Sequence, residues 1–259
     1  MDHVVPDLTH TPVRQPVRNQ LLAALTPEVL ERLSPQLELV PLFLGEVIYE
    51  AGAPLSHVYF PINSIVSILC VMTDGASAEI AVVGNEGVVG VALFTGGQTT
   101  LSRALVHSAG WAHRLPSASL LTEFGQIGVL RDVLLRYTQA LLTQIAQTAV
   151  CNRHHTVDQQ LCRWLLLSLD RLSSSELTMT QGNIANMLGV RREAVTEAAG
   201  KLQSSGIIRY CRGLITVLDR PQLEARVCEC YAVEKKEFDR LLGHFGAGTR
   251  TSQSSGAAL

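Results

Sequence analysis

The sequence predicts an α+β fold: short strands closed into a roll, one long helix, then a helix–turn–helix unit followed by a two-stranded hairpin. Three observations carry this. Residues 37–115 alternate short β-rich runs with turn chemistry, the spacing of a compact all-β roll. From about Gln126 to Asn152 the pattern changes to a long helical period. Residues 180–208, TQGNIANMLGVRREAVTEAAGKLQSSGII, read as two short helices about a glycine turn.

The chain opens on MDHVVPDLTHTPVRQPVRNQ, which carries three prolines and lacks the apolar core of a signal peptide, so residues 1–18 read as a flexible arm. Thr26-Pro27-Glu28 marks a helix start, with Thr as cap and Pro at the first position. The β-like runs are Gly45–Glu50, His57–Phe60, Ser64–Val71, Ala78–Val83, Arg103–Ser108 and Trp111–Leu115. Asp74-Gly75 between two apolar runs is a hairpin signal. These elements make a roll domain over 19–125.

A helix over 126–154 comes next. Leu130, Leu134, Tyr137, Leu141, Ile145 and Thr148 advance by steps of four and three, the spacing of a coiled-coil seam. Such a stripe needs a partner. The same helix of a second copy gives a twofold dimer, and packing onto the chain's own roll is the other possibility. Thr156-Val157-Asp158-Gln159 has capping-box spacing and starts an amphipathic helix through Leu167.

In the helix–turn–helix, Ile184, Ala185 and Leu188 form one apolar face, and Ala185 is small where a second helix must pass close by. Gly189 supplies a turn with positive φ. Val195, Ala198, Ala199 and Leu202 give the second helix its own stripe, leaving Arg191, Arg192, Glu193, Thr196, Glu197 and Lys201 on the opposite face. Arg and Glu can read guanine and cytosine edges in the DNA major groove. Ile207–Cys211 and Leu214–Leu218 join around Arg212-Gly213 as a hairpin, a wing offering Arg209 and Arg212 to phosphates. Asp219, with Pro221 two residues later, caps a helix expected to end near Tyr231. The DNA-binding domain is thus placed at 155–232, and 233–259, ending in GAGTRTSQSSGAAL, is read as a largely disordered tail.

Composition narrows the function classes. A length of 259 residues with 47% hydrophobic content suits about two cores. A net charge of −2 excludes a general polyanion binder. From Glu176 to Arg220 six Lys/Arg stand against four Asp/Glu, a weak local bias that predicts modest, salt-dependent non-specific DNA affinity. No long uncharged apolar run occurs, so no membrane contact and a cytoplasmic location are expected.

The six cysteines, at 70, 151, 162, 211, 228 and 230, lack disulfide-framework density. Cys228-Glu229-Cys230 is the one suggestive pair. On a helix two residues separated by two positions point apart, so no metal site is expected there.

The order of roll, long helix and winged helix-turn-helix resembles the Crp–Fnr family of bacterial transcription regulators over roughly residues 20–232. IANMLGVRREAVTEAAGKLQSSGII carries the resemblance in the DNA-binding part, and GEVIYEAGAPLSHVYFPINSIVSI resembles the opening strands of a cyclic-nucleotide-binding jelly roll. The resemblance implies a homodimer on a pseudo-palindromic operator in double-stranded DNA, reoriented by an effector in the roll and contacting RNA polymerase. By position, Arg192 and Glu193 fall on two of the family's base-reading sites. Glu197 takes a third, where many members have arginine, so the half-site should differ.

The pocket departs further. Gly87-Val88-Val89-Gly90-Val91-Ala92-Leu93-Phe94 has valine where the nucleotide binders have glutamate, and the expected arginine falls near Ser102, with Arg103 beside it. A buried phosphate needs a cation or aimed N–H donors. The candidate pocket, Gly90, Val91, Ala92, Ser102 and Arg103, therefore lacks the usual cyclic-nucleotide anchors. No cofactor is expected, and the effector's identity is not written in the sequence. No cysteine precedes Cys70, against an N-terminal iron–sulfur cluster, and His107 and His113 read as ordinary strand residues rather than haem ligands.

Other readings stay open at this point: a redox- or metal-responsive regulator using Cys151, Cys211, Cys228 or Cys230, or a protein-interaction module without DNA contact. Catalysis around Cys151, His154 and His155 has no oxyanion or nucleophile-elbow context, so no catalytic residue is assigned.

Overall fold

The computed structural model describes residues 18–172 and 174–243. The predicted arm, apart from residue 18, and the tail beyond Gly243 lie outside them. Two short helices open the chain: α1 (Gln20–Ala23), whose cap Asn19 accepts from the Leu21 and Leu22 N–H groups, and α2 (Pro27–Leu33), started by Thr26 and Pro27 as expected. Seven strands follow: β1 (Glu38–Leu42), β2 (Val47–Tyr49), β3 (His57–Pro61), β4 (Ile65–Val71), β5 (Ser77–Val83), β6 (Ser102–Ser108) and β7 (Gly110–Pro116). They pair antiparallel in two sheets, β1-β7-β3 and β2-β6-β4-β5. Leu42, Val58, Phe60, Val66, Ala104, Val106, Ala112 and Leu115 fill the space between them. The β1 strand, interrupted by Pro41, has no clean alternation and is missing from the sequence reading.

Helix α3 (Ser117–Gly125) leads into α4 (Val129–His154), a 26-residue helix about 39 Å long at 1.5 Å per residue. Here the structure corrects the expected seam. Leu130, Leu134 and Tyr137 are fully buried in the core of the chain's own roll, Leu141 packs against that core, and Ile145 is half-buried. That stripe therefore belongs to the monomer. A second row, Leu135, Leu142, Ala146 and Ala149, lies on the opposite side of α4 and is exposed. The helix has two apolar faces, and step counting finds the one that its own roll covers.

The back half contains α5 (Val157–Leu169), β8 (Glu176–Thr178), α6 (Gln181–Leu188), α7 (Arg192–Ser204), β9 (Ile208–Cys211), β10 (Leu214–Val217), α8 (Arg220–Arg226) and α9 (Glu229–Leu242). The Thr156–Gln159 capping box forms with both reciprocal bonds. Asp219 caps α8 through the Gln222 N–H. The helix expected to run to Tyr231 instead stops at Arg226, because Val227 and Cys228 are extended. A new helix, α9, then occupies residues that the sequence reading gives to a disordered tail from 233. Its Tyr231, Glu234, Phe238 and Leu242 recur at helical spacing. Phe238 and Leu242 pack on the roll core, with the Phe238 ring 6.4 Å from that of Tyr137.

Front and back halves are joined by buried pairs. Arg171, just past the end of α5, binds Glu86 of the roll at 2.7 Å, and within the back half Arg163 of α5 binds Glu234 of α9 at 2.8 Å. Gln144 of α4 donates to Glu234 and accepts from the Val82 N–H. The His107 ring stacks on Trp164 at 4.9 Å. Buried charges need such partners, and losing one member leaves the other stranded. No helix among the described residues is long and apolar enough to cross a membrane.

Candidate nucleic-acid interface

Thr180 begins the interface by accepting the Asn183 N–H at 3.2 Å, which fixes the first turn of α6. Gly189 ends that helix at φ 65°, ψ 34°, its N–H donating to the Ala185 carbonyl. A residue with a Cβ would be strained there, so glycine sets the angle at which α7 departs. Val195, Ala198, Ala199 and Leu202 of α7 then bury against Ile184, Ala185 and Leu188. Burying that face leaves Arg191, Arg192, Glu193, Thr196, Glu197 and Lys201 exposed together on the other, as the sequence predicts.

The wing is β10 paired with β9 on one side and with β8 on the other. Its turn holds Arg212 at φ 50° and Gly213 at φ 82°, positive values that suit a tight two-residue hairpin. Arg212 is the one non-glycine residue with positive φ among the described residues. It and Arg209 are both exposed.

These pieces converge. Thr180, Gln181, Arg192, Tyr210, Arg212 and Gly213 line one surface depression between α6, α7 and the wing. The Thr196 hydroxyl lies 2.8 Å from Gln181 Oε1 and 3.0 Å from the Arg192 carbonyl. Gln181 and Tyr210 escape sequence reasoning. The Thr180 cap could have placed Gln181 in the first helical turn, whereas Tyr210 reads only as a strand aromatic.

Not every charge on α7 is free. Glu197 and Lys201 pair at 2.9 Å, and Lys201 also reaches Asp158 of α5 at 3.1 Å. The hydrogen bond from Lys201 holds the Glu197 carboxyl below its usual range. Glu197 and Asp158 hold the Lys201 ammonium above its own.

In the roll, Gly90, Val91, Ala92 and Ser102 line a cavity of about 180 Å³, closed on one side by Leu141 and Ile145 of α4. Gly90 has φ 103°, which turns the chain beside Val58. Arg103 is not in the lining. It points outward and pairs with Glu50 at 2.7 Å, since alternate residues of a strand face opposite ways. The polar side chains in the lining are Tyr49, Thr100 and Ser102, with no cation among them.

The cysteines also differ from expectation. Cys228 is the extended residue capping α9, with φ −76° and ψ 165°, so it and Cys230 are not two positions apart on one helix. Both thiols face Cys151 and His155. Cys151 is buried, and burial pushes its thiol far up, the reverse of an activated nucleophile; His154 beside it is exposed.

Residues 159–226 match the Crp-like helix-turn-helix domain family. No curated protein sequence matches the chain. Among solved structures it is similar to FixK2 of Bradyrhizobium japonicum, at 20% identity and a TM-score of 0.61, covering 74% of this chain and 98% of that one. It is also similar to two transcriptional regulators of Thermus thermophilus. A Crp/Fnr-family protein has 22% identity, a TM-score of 0.60 and coverage of 75% and 98%. A Crp-family protein has 16% identity, a TM-score of 0.62 and coverage of 72% and 95%. The chain therefore carries a Crp-like helix-turn-helix domain within the fold of the Crp/Fnr transcription regulators.

Proposed function

We propose that this protein regulates transcription as a homodimer that reads a pseudo-palindromic operator through α7. One observation carries the reading: α7 buries its apolar face on α6 and presents six polar side chains outward beside a wing bearing two exposed arginines. Such an arrangement matches what a major groove requires, base-edge donors on the helix and cations for the flanking phosphates. Arg192 is the primary guanine reader and Glu197 an acceptor for cytosine.

The exposed row of Leu135, Leu142, Ala146 and Ala149 supports dimerisation along α4, since an apolar stripe on a surface helix is otherwise left in water. The α4 helix also closes the roll cavity through Leu141 and Ile145, so an occupant would bear on the dimer helix directly. That occupant is small and mainly apolar: nothing in the lining neutralises a phosphate.

Substituting Arg192→Ala tests the central role. Operator affinity measured by fluorescence anisotropy should fall about 5- to 150-fold, the loss expected for one bidentate base contact, with thermal stability unchanged. Unaltered affinity would favour a protein-interaction module instead. Saturating cyclic nucleotide should leave operator affinity where it was.

A further inference from the structure

Where α4 ends and α9 begins, four side chains of metal-binding type meet. Cys151 and His155 lie one turn apart at the end of α4, on the same face. Cys228 and Cys230 bracket the start of α9. One ligand atom from each lies within 4.8 Å of every other. Cys151 Sγ is 3.6 Å from Cys228 Sγ, and Cys230 Sγ is 3.5 Å from His155 Nδ1. Cys151 lies in α4 and Cys230 in α9, while His155 and Cys228 are the extended residues that flank those helix ends.

We propose that Cys151, His155, Cys228 and Cys230 form a structural zinc site that ties the end of α4 to the junction of α8 and α9. Tetrahedral zinc with Zn–S about 2.3 Å and Zn–N about 2.0–2.1 Å requires edges of about 3.8 Å between sulfurs and about 3.5 Å between sulfur and nitrogen. The Cys151–Cys228 and Cys230–His155 pairs already stand near those edges. A cluster of two irons divides its ligands between separate metals, which this compact set does not do.

A second contact points the same way. His155 Nε2 stands 3.4 Å from a carboxylate oxygen of Glu229. A carboxylate on the far nitrogen fixes the ring and leaves Nδ1 as the donor, the usual support of a metal-bound histidine. On binding, zinc displaces the three thiol protons to solvent and takes the Nδ1 lone pair of neutral imidazole. The resulting centre carries one net negative charge.

The consequence for DNA binding rests on the function proposed above. The long helix would be coupled to the DNA-binding unit by a clamp at its end, in addition to the peptide link at His155. The site itself does not depend on that function.

The test uses the full-length protein purified with zinc, and reads metal content and spectra rather than DNA binding. One zinc per chain is expected by elemental analysis. Replacement with cobalt should give intense visible ligand-field bands and thiolate charge-transfer absorption, as tetrahedral sulfur coordination does. Cys230→Ser and His155→Ala should each lose these features, whereas Cys162→Ser and Cys70→Ser should keep them. Should the ligand variants fail to fold, Glu229→Gln provides the check. It should retain one metal but bind it about 10- to 100-fold more weakly in chelator competition.

Substoichiometric metal with no saturable cobalt site would overturn the proposal, as would a Cys151–Cys228 disulfide in the metal-free protein as isolated. Glu229→Gln with unchanged affinity would remove the supporting carboxylate from it. A protein that holds zinc but selects no DNA would leave the site standing and remove only its consequence.

Discussion

Single residues carry much of this molecule's behaviour, because several sit where no other side chain serves. Gly87 is one: a Cβ there would come within 2.5 Å of the Tyr137 hydroxyl. Gly87→Ala should therefore push the roll loop off α4 and cost about 1–3 kcal/mol of stability, read from urea unfolding. His113 gives a pH effect. Burial holds its imidazole below the usual histidine range, and its Nδ1 has no partner. As pH falls through about 6.5, the unfolded chain gains a proton that the folded chain refuses, so stability should drop toward acid. His113→Gln should flatten that slope between about pH 7 and 5.5; an unchanged slope would assign it to other groups.

Residue-level reading of the interface succeeds where local geometry decides the outcome. Gly189, the Thr156 box, the Asp219 cap and the Arg212-Gly213 turn depend on neighbours a few positions away, and the structure has each. Arg103 is ambiguous in the sequence because strand alternation sends it outward only once the register is known. The four-residue cluster escapes for a related reason. Reading Cys228-Glu229-Cys230 as helical makes convergence impossible, and the break at Val227 and Cys228 that permits it has no strong sequence signal.

At the scale of elements, the long helix shows what periodicity can and cannot say. Both of its sides repeat at helical spacing, and only tertiary packing tells which is covered by the roll. The two faces predict opposite consequences. Leu134→Ala creates a cavity in the roll core and should cost about 2–5 kcal/mol without altering subunit number. Leu142→Glu places charge on the exposed row and should leave the fold intact while converting a dimer to monomers in light scattering. A variant that remains dimeric would move the interface elsewhere. Helix α9 is legible in principle, since Tyr231, Glu234, Phe238 and Leu242 keep one phase. A polar run, VEKKEFDR, and the low-complexity end obscure it.

The whole molecule is held as one piece by contacts between its halves rather than by the α4 connection alone. Helix α6 packs on β5 of the roll, and Arg171–Glu86, Gln144–Glu234 and His107–Trp164 cross the same boundary. Breaking one partner strands a buried charge, so Glu234→Gln should destabilise both halves together rather than one. Two separate unfolding transitions in calorimetry would contradict that coupling. In the proposed dimer these contacts would also set where the two α7 helices stand, and hence the spacing of the half-sites.

Selection of bound fragments from random duplex DNA, using the purified full-length protein, tests the central claim most directly. Enriched sequences should contain two inverted half-sites about one helical turn apart, with guanine and cytosine at the positions facing Arg192 and Glu197. A pool that stays random after repeated rounds, or one that enriches a single unrepeated site, would contradict it.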